Sequence, residues 1–212
     1  MRLNDWLPVY GEILEDMGFS RSEDESSARL LKVLMSNADL IDPDELVFSD
    51  TATVIGPAFP DLEDLDGRTV LSAGSATETV MESGIVPDIV VTDLDGDIDS
   101  QIRASKKGAV TFLHAHGDNT SLIMDYAKEF TGPVVLTTQS TPDNVIRNWG
   151  GFTDGDRAVC IAREFGCSVI ELRGFDFSAP CYKDGSEPMI KAKKLRWAER
   201  IIGPQSPDIR IL

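Results

Sequence analysis

Apolar residues in the first part of the chain recur every three or four positions. Trp6, Leu7, Ile13, Leu14 and Met17 fall on one side of a helix that Asn4 or Asp5 would cap. Ser22 and Glu25 have capping-box spacing for a second helix running to about Ser36, with Leu30, Leu31, Leu34 and Met35 inward. From about residue 50 the pattern becomes short continuous apolar runs: Thr53–Ile55, Thr69–Ser72, Asp88–Thr92, Ala109–Leu113, Pro133–Thr137 and Ser168–Leu172. Helical stretches separate most of them, at Thr77–Glu82, Ile98–Lys107, Ser121–Phe130 and Gly155–Phe165, and a basic helix follows at Met189–Ile202, stopped by Gly203-Pro204. Unbroken apolar strands joined by helical crossovers predict an α/β fold: a mostly parallel, Rossmann-like sheet with helices on both faces, preceded by two N-terminal helices. The expected division is a helical segment, 1–48, packed on a main α/β domain, 49–212.

Composition narrows the function. The chain has 212 residues, with 20 basic against 36 acidic side chains and a net charge of −16. That balance argues against binding a nucleic-acid backbone, which needs a basic face. No apolar run approaches the roughly 18 residues of a membrane span, and the acidic N-terminus does not read as a signal peptide. Cys160, Cys167 and Cys181 do not have the spacing of a disulfide framework or a cysteine zinc site, so a cytoplasmic protein is expected. Residues 1–106 carry all of the net charge, while 107–212 are neutral overall. Cations that meet a phosphate are therefore expected from the second half. The N-terminal helices are expected to cover a sheet edge or to mediate contact with a second copy, with a weak lean towards a homo-oligomer.

Ligands of open α/β sheets bind beyond the carboxyl ends of the strands, and the unusual residues of this chain fall there. Asp93, Asp95 and Asp97 follow the strand Asp88–Thr92 at alternate positions. Packed carboxylates repel unless a cation neutralises them, and oxygen ligands suit a hard ion such as Mg²⁺. The bland alternative is a solvated turn in which Asp97 caps the next helix. His114 and His116, the chain's two histidines, face the same side of a strand, and His114-x-His116-x-Asp118 matches part of a dinuclear metallohydrolase motif. Position 119 is Asn where that motif needs His. His116, Asp118 and Asn119 then read as ligand contacts, or the histidines simply pack. Thr137, Thr138 and Gln139 end another strand with groups able to read a heterocycle edge. Gly150 and Gly151 open a loop into a helix, where N–H groups favour an anion and where Thr153 or Asp154 would cap. Arg173, Asp176, Lys183, Lys191, Lys193, Lys194 and Arg196 supply late charges. P-loop and dinucleotide glycine fingerprints are missing.

Taken together, PDIVVTDLDGD, HAHGDN, TTQ, GGFTDGDRA, GFDFS and the basic KAKKLRWAE helix resemble the archaeal 6-hydroxymethyl-7,8-dihydropterin pyrophosphokinase family, in the same order over about residues 70–200. DLDGD by itself also resembles a segment of thiamine pyrophosphokinases, whose fold is related. Where other members usually carry Ala-Asp-Gly, this chain has Ser72-Ala73-Gly74-Ser75. The resemblance implies Mg²⁺-dependent transfer of the pyrophosphoryl group of ATP to the hydroxymethyl group of a reduced pterin, with release of AMP. It implies that Asp93, Asp95 and Asp97 hold Mg²⁺ and that Asp118 and Asn119 position the phosphates or the attacking hydroxyl. Arg157, with Lys191, Lys193 or Lys194, would stabilise phosphate charge. His116, Thr137, Thr138, Gly150, Gly151 and Thr153 would contact the nucleotide or pterin, and Gln139, Asp154 and Asp176 are candidates for the pterin edge. Thiamine pyrophosphokinase, a metallohydrolase, and a nucleotide-binding module without catalysis are the alternatives.

Overall fold

The computed structural model describes residues 1–58, 60–178, 188–203 and 205–212; Cys181, Lys183 and Pro204 lie outside them. Among the described residues the helices are α1 (Leu3–Met17), α2 (Arg21–Leu34), α3 (Ala76–Glu82), α4 (Ile98–Lys106), α5 (Thr120–Tyr126), α6 (Asp154–Glu164) and α7 (Pro188–Ile202). The strands are β1 (Thr51–Ile55), β2 (Thr69–Ala73), β3 (Ile89–Thr92), β4 (Val110–Ala115), β5 (Val134–Thr138), β6 (Ile146–Arg147), β7 (Val169–Arg173) and β8 (Ile209–Ile211). All pair in parallel, in the order β6-β5-β4-β3-β2-β1-β7-β8. The expected α/β fold with two leading helices is therefore the one observed. The two-residue β6 and three-residue β8 carry too little apolar sequence to stand out as strands.

Strand alternation explains the layers. Val54, Leu71, Val91, Phe112, Val135 and Leu172 point to one face, where they pack on Ala158, Val159, Ile161 and Ala162 of α6. The intervening positions point the other way: Leu113, Ala115, Val134 and Leu136 meet α2 and α5, while Ile55 and Val70 meet α3. Both faces are thus covered, as a parallel sheet requires. The N-terminal helices separate. Helix α2 packs on the sheet through Ala28 and Leu31, with Met35 just beyond its end, whereas α1 forms an outer layer in which Trp6, Tyr10 and Ile13 sit on Phe152, Cys160 and Ile201. Burying each large aromatic is worth about 2–3 kcal/mol.

Two expected caps do not form. The first helix begins after Arg2, so Asn4 and Asp5 lie inside it; the second begins after Ser20, and Glu25 instead accepts a hydrogen bond from the Ser140 hydroxyl at 3.3 Å. A capping box forms at α6, where the Asp156 carboxylate accepts from the backbone N–H groups of Phe152 and Thr153, both at 2.7 Å.

Strand order fixes where a ligand can enter. Successive strands β1 to β6 run outward in one direction, then α6 returns the chain across the other face to β7 beside β1. The reversal opens a crevice at the carboxyl ends of β1 and β7. There Gly56 N donates to Arg173 O (2.8 Å) and Ala58 N to Gly174 O (2.9 Å). Arg173 also donates to the backbone carbonyls of Asp61 and Glu63, and its Nη2 lies 3.3 Å from Glu171 Oε2, which Arg68 meets at 2.5 Å.

Arg68, and after it Arg173, hold the buried Glu171 carboxyl below its ordinary range against the opposing effect of burial. A depressed folded value stabilises above the unfolded pKa of about 4.3 and is lost as pH falls through the folded value. Glu171→Gln is therefore expected to cost about 2 kcal/mol at neutral pH, with the gap to wild type shrinking below about pH 4. Denaturant melts at both pH values check this; an equal gap would contradict it.

Candidate active site

Asp93 is the first residue beyond β3, and Asp95 follows two positions later. Between them Leu94 has φ of 70°, rare for a residue with a side chain, and its side chain is fully buried. Three hydrogen bonds fix this turn. Leu94 N donates to Thr92 Oγ1 (2.8 Å), Gln101 Nε2 to Asp95 O (2.7 Å), and Asn119 Nδ2 to Asp93 O (2.7 Å). The backbone thus holds two carboxylates at the rim whether or not they repel.

A third carboxylate comes from Asp154, the first residue of α6. One oxygen from each of Asp93, Asp95 and Asp154 lies within 4.8 Å of the others. Gly74, after β2, allows this closeness: a Cβ there would collide with the Asp154 carboxylate. Behind Asp154 lies Arg157, buried, with Nη1 on Asp154 Oδ1 (2.8 Å) and Nη2 on Phe152 O (3.2 Å).

The carboxyls titrate apart. Burial pushes Asp154 well above the ordinary carboxylate range, and the charge of Asp93 adds to it, outweighing Arg157. Burial would raise Asp93 too, but the His116 hydrogen bond and the charges of Arg157 and Lys194 overcome it and hold Asp93 below that range. Without a cation, the two buried acids are thus pushed in opposite directions, Asp154 up and Asp93 down. A hard divalent ion fits this donor set: three carboxylate oxygens converge, and a cation among them would relieve their repulsion.

The acids form one wall of a 240 Å³ cleft, at the small end for metabolite pockets. Lys191 and Lys194 of α7 face it, and Phe152, Phe175, Phe177 and Pro57 line its apolar side. Thr153, Asp154 and Asp176 are also in its lining. The basic helix divides its cations: Lys193 turns to Asp16 of α1 at 3.0 Å, and Arg200 to Glu12 at 2.6 Å.

Several candidates stand elsewhere. Asp97 caps α4, its carboxylate accepting from Ser100 N (3.1 Å), and does not join the carboxylate group. Arg157 backs Asp154 instead of lining the cleft. Asn119 is buried and holds backbone; Asp118 is exposed. Thr137, Thr138 and Gln139 are buried behind the rim: Thr137 Oγ1 donates to Leu113 O (3.1 Å), Thr138 Oγ1 accepts from Ser140 N (3.2 Å), and Gln139 donates to Asp24 (2.8 Å). Gly150 packs on Met1 and Trp6, and Gly151 on the Arg157 backbone. His116 Nε2 is 3.3 Å from Asp93 Oδ2. His114 is buried, which with Arg157 and His116 keeps it neutral, and its Nδ1 meets Thr137 Oγ1 at 3.0 Å. Among the described residues, the group whose atoms converge closely enough to hold a metal ion is the acidic triad, without the histidines.

Comparison with known proteins assigns the chain to a family. A family model described as 6-hydroxymethylpterin diphosphokinase MptE-like matches residues 58–181, more than half of the chain. The chain belongs to that family. A protein of Pyrococcus furiosus named 6-hydroxymethyl-7,8-dihydropterin pyrophosphokinase is 41% identical, over 95% of this chain and 93% of its own length. Proteins with the same name from Methanothermobacter thermautotrophicus and Methanocaldococcus jannaschii are 35% and 32% identical over 100% of this chain, covering 99% and 98% of theirs. A MAf glycosyltransferase structure from Magnetospirillum magneticum AMB-1 shares the fold at TM-score 0.57 and 14% identity, over 96% of this chain and 41% of that one. The segment matched by the MptE-like model contains all three carboxylates but not α1, α2 or α7. No helix among the described residues is long and apolar enough to cross a membrane.

In the sequence Asp154 stands out only as a candidate pterin contact or helix cap. Its pairing with Asp93 depends on the register of α6 over β2 and β3, and Gly74 is the one local sign of it.

Replacing one acid should relax the repulsion and remove the ion. Asp95→Asn is expected to keep or raise the melting temperature of the metal-free protein and to weaken Mg²⁺ binding by about 10-fold or more. Thermal shift and calorimetric titration check both; undiminished Mg²⁺ binding by Asp95→Asn would contradict the assignment.

Proposed function

We propose that this chain transfers a diphosphoryl group from ATP to the hydroxymethyl oxygen of 6-hydroxymethyl-7,8-dihydropterin, with Mg²⁺ required and AMP released. The hydroxyl oxygen attacks the β-phosphorus, and the bond from that phosphorus to the α,β-bridging oxygen breaks. AMP leaves with that oxygen, and the hydroxyl proton is lost. The observation that carries the reading is the cleft itself: three carboxylates, two lysines and three phenylalanines line one cavity at the strand-order reversal. The names of the family and of its archaeal relatives supply the acceptor.

Phosphoryl-type transfer asks a protein for alignment and charge neutralisation more than for a strong nucleophile. Asp93, Asp95 and Asp154 would hold Mg²⁺, which when bound would neutralise phosphate oxygens. Lys191 and Lys194 line the same cleft and would meet the remaining phosphate charge. Arg157 steadies the Asp154 carboxylate from behind. Phe152, Phe175 and Phe177 offer apolar surface to a flat heterocycle and exclude water from the attack. Asp176, at the mouth and accepting from Ser178 N (2.8 Å), is the acid placed to meet a pterin amino group. Thr137, Thr138 and Gln139 serve packing in this reading.

The test is incubation with ATP, Mg²⁺ and the reduced pterin, beside a parallel reaction with thiamine, with adenine nucleotides quantified. The expected result is AMP formed in step with diphosphorylated pterin, no turnover of thiamine, and loss of at least about 100-fold in Asp93→Asn. ADP as product, or ATP consumption independent of the acceptor, would contradict it.

A further inference from the structure

The first two helices lie outside the family-model match and have no task in the reading above. A buried acid gives them one. Asp24, in the first turn of α2, is 2% exposed. Its Oδ2 accepts from Tyr10 Oη of α1 (2.6 Å) and from Gln139 Nε2 beyond β5 (2.8 Å). Its Oδ1 accepts from the backbone N–H of Gly117 (2.7 Å), in the short 3₁₀ turn Gly117–Asn119 that follows β4. Burial, and then Asp24 itself, push the Tyr10 phenol up, so Tyr10 stays a donor. Trp6 Nε1 fixes Gln139 from the other side by donating to its carbonyl (2.8 Å). The turn also rests on α2 by packing: a Cβ on Gly117 would lie 2.9 Å from Glu23 Cβ.

What this turn holds is Asp93. His116 Nδ1 accepts from Asp118 N (3.3 Å), so a neutral ring carries its proton on Nε2, the atom facing Asp93 Oδ2. Asn119 Oδ1 accepts from His116 N (3.0 Å), while its Nδ2 donates to Asp93 O. The turn thus grips both the side chain and the backbone of one acid of the cluster. Partners of this kind, one shell behind a ligand, commonly change metal affinity or activity about 10–100-fold when removed.

We propose that Asp24 is a positioning residue for the active site: through Gly117 it sets the turn that aims His116 at Asp93. It touches neither substrate nor ion. The metal arm of the test rests on the Mg²⁺ reading above; the histidine arm does not.

Four variants, measured at one fixed pH, decide it. Asp24→Ala removes the acceptor, and Gly117→Ala keeps it but pushes the turn off α2. Asp24→Asn still offers an oxygen to Gly117, and Tyr10→Phe loses a bond on Oδ2 alone. The readouts are the imidazole ¹⁵N resonances of His116, one of two histidines in the chain, and Mg²⁺ affinity by calorimetry. Asp24→Ala and Gly117→Ala are expected to move the His116 resonances away from the Nε2–H pattern and to weaken Mg²⁺ about 10–100-fold. Asp24→Asn restores most of both, and Tyr10→Phe lowers the melting temperature but moves neither. Should Asp24→Ala not fold, Gly117→Ala decides alone. Unmoved His116 resonances in either folded variant, or moved resonances with unchanged Mg²⁺ affinity, overturn the proposal. Moved resonances in a chain whose wild type binds no Mg²⁺ would sink the metal reading and leave the grip of Asp24 on the turn standing.

Discussion

Carboxylates gather within a few ångströms only where something else in the fold forces them together. Here the force is backbone. Leu94, buried in the core and held at positive φ, folds the chain so that Asp93 and Asp95 share one rim. The first turn of α6 then brings Asp154 against Gly74, close enough that no side chain fits between. Strained backbone of this kind costs about 1–3 kcal/mol and persists where the surroundings over-determine it. Arg157 behind Asp154 offsets part of the remaining repulsion, and a divalent cation would offset more of it.

Parts of this were readable in the residues. The strands β1 to β5 and β7 announced themselves because a parallel sheet buried on both faces needs unbroken apolar runs, and the acids after β3 were visible as polar residues at a strand end. The basic spacing of Lys191 and Lys194, three apart on α7, matches their common position at the cleft. What escaped was long-range geometry. Asp97 looked equivalent to Asp93 and Asp95, but an Asp just before a helix is also an ideal cap, and that role won. Thr137, Thr138 and Gln139 looked like a polar strand end open to ligand; α1 and α2 fold over them, and no local pattern signals that cover. Arg157 read as a cation for phosphate, yet on α6 it turns inward, donating to the Asp154 carboxylate and the Phe152 carbonyl.

The helical N-terminus is therefore more than an edge cover. Helix α1 binds α7 through Lys193 and Arg200, and α7 carries the two cleft lysines. Helix α2 binds the turn that holds Asp93. The acids and the lysines of the cleft are thus both braced by elements outside the segment that the family model matches.

The central claim is that Asp93, Asp95 and Asp154 together bind the cation that docks a polyphosphate. Anomalous diffraction from crystals grown with Mn²⁺ in place of Mg²⁺ and a non-hydrolysable ATP analogue tests it directly. The account predicts a single strong manganese peak among the three carboxylates, with the analogue's phosphates reaching it from the side of Lys191 and Lys194. A manganese peak at another site, with the three carboxylates making no contact to metal or phosphate, would contradict it.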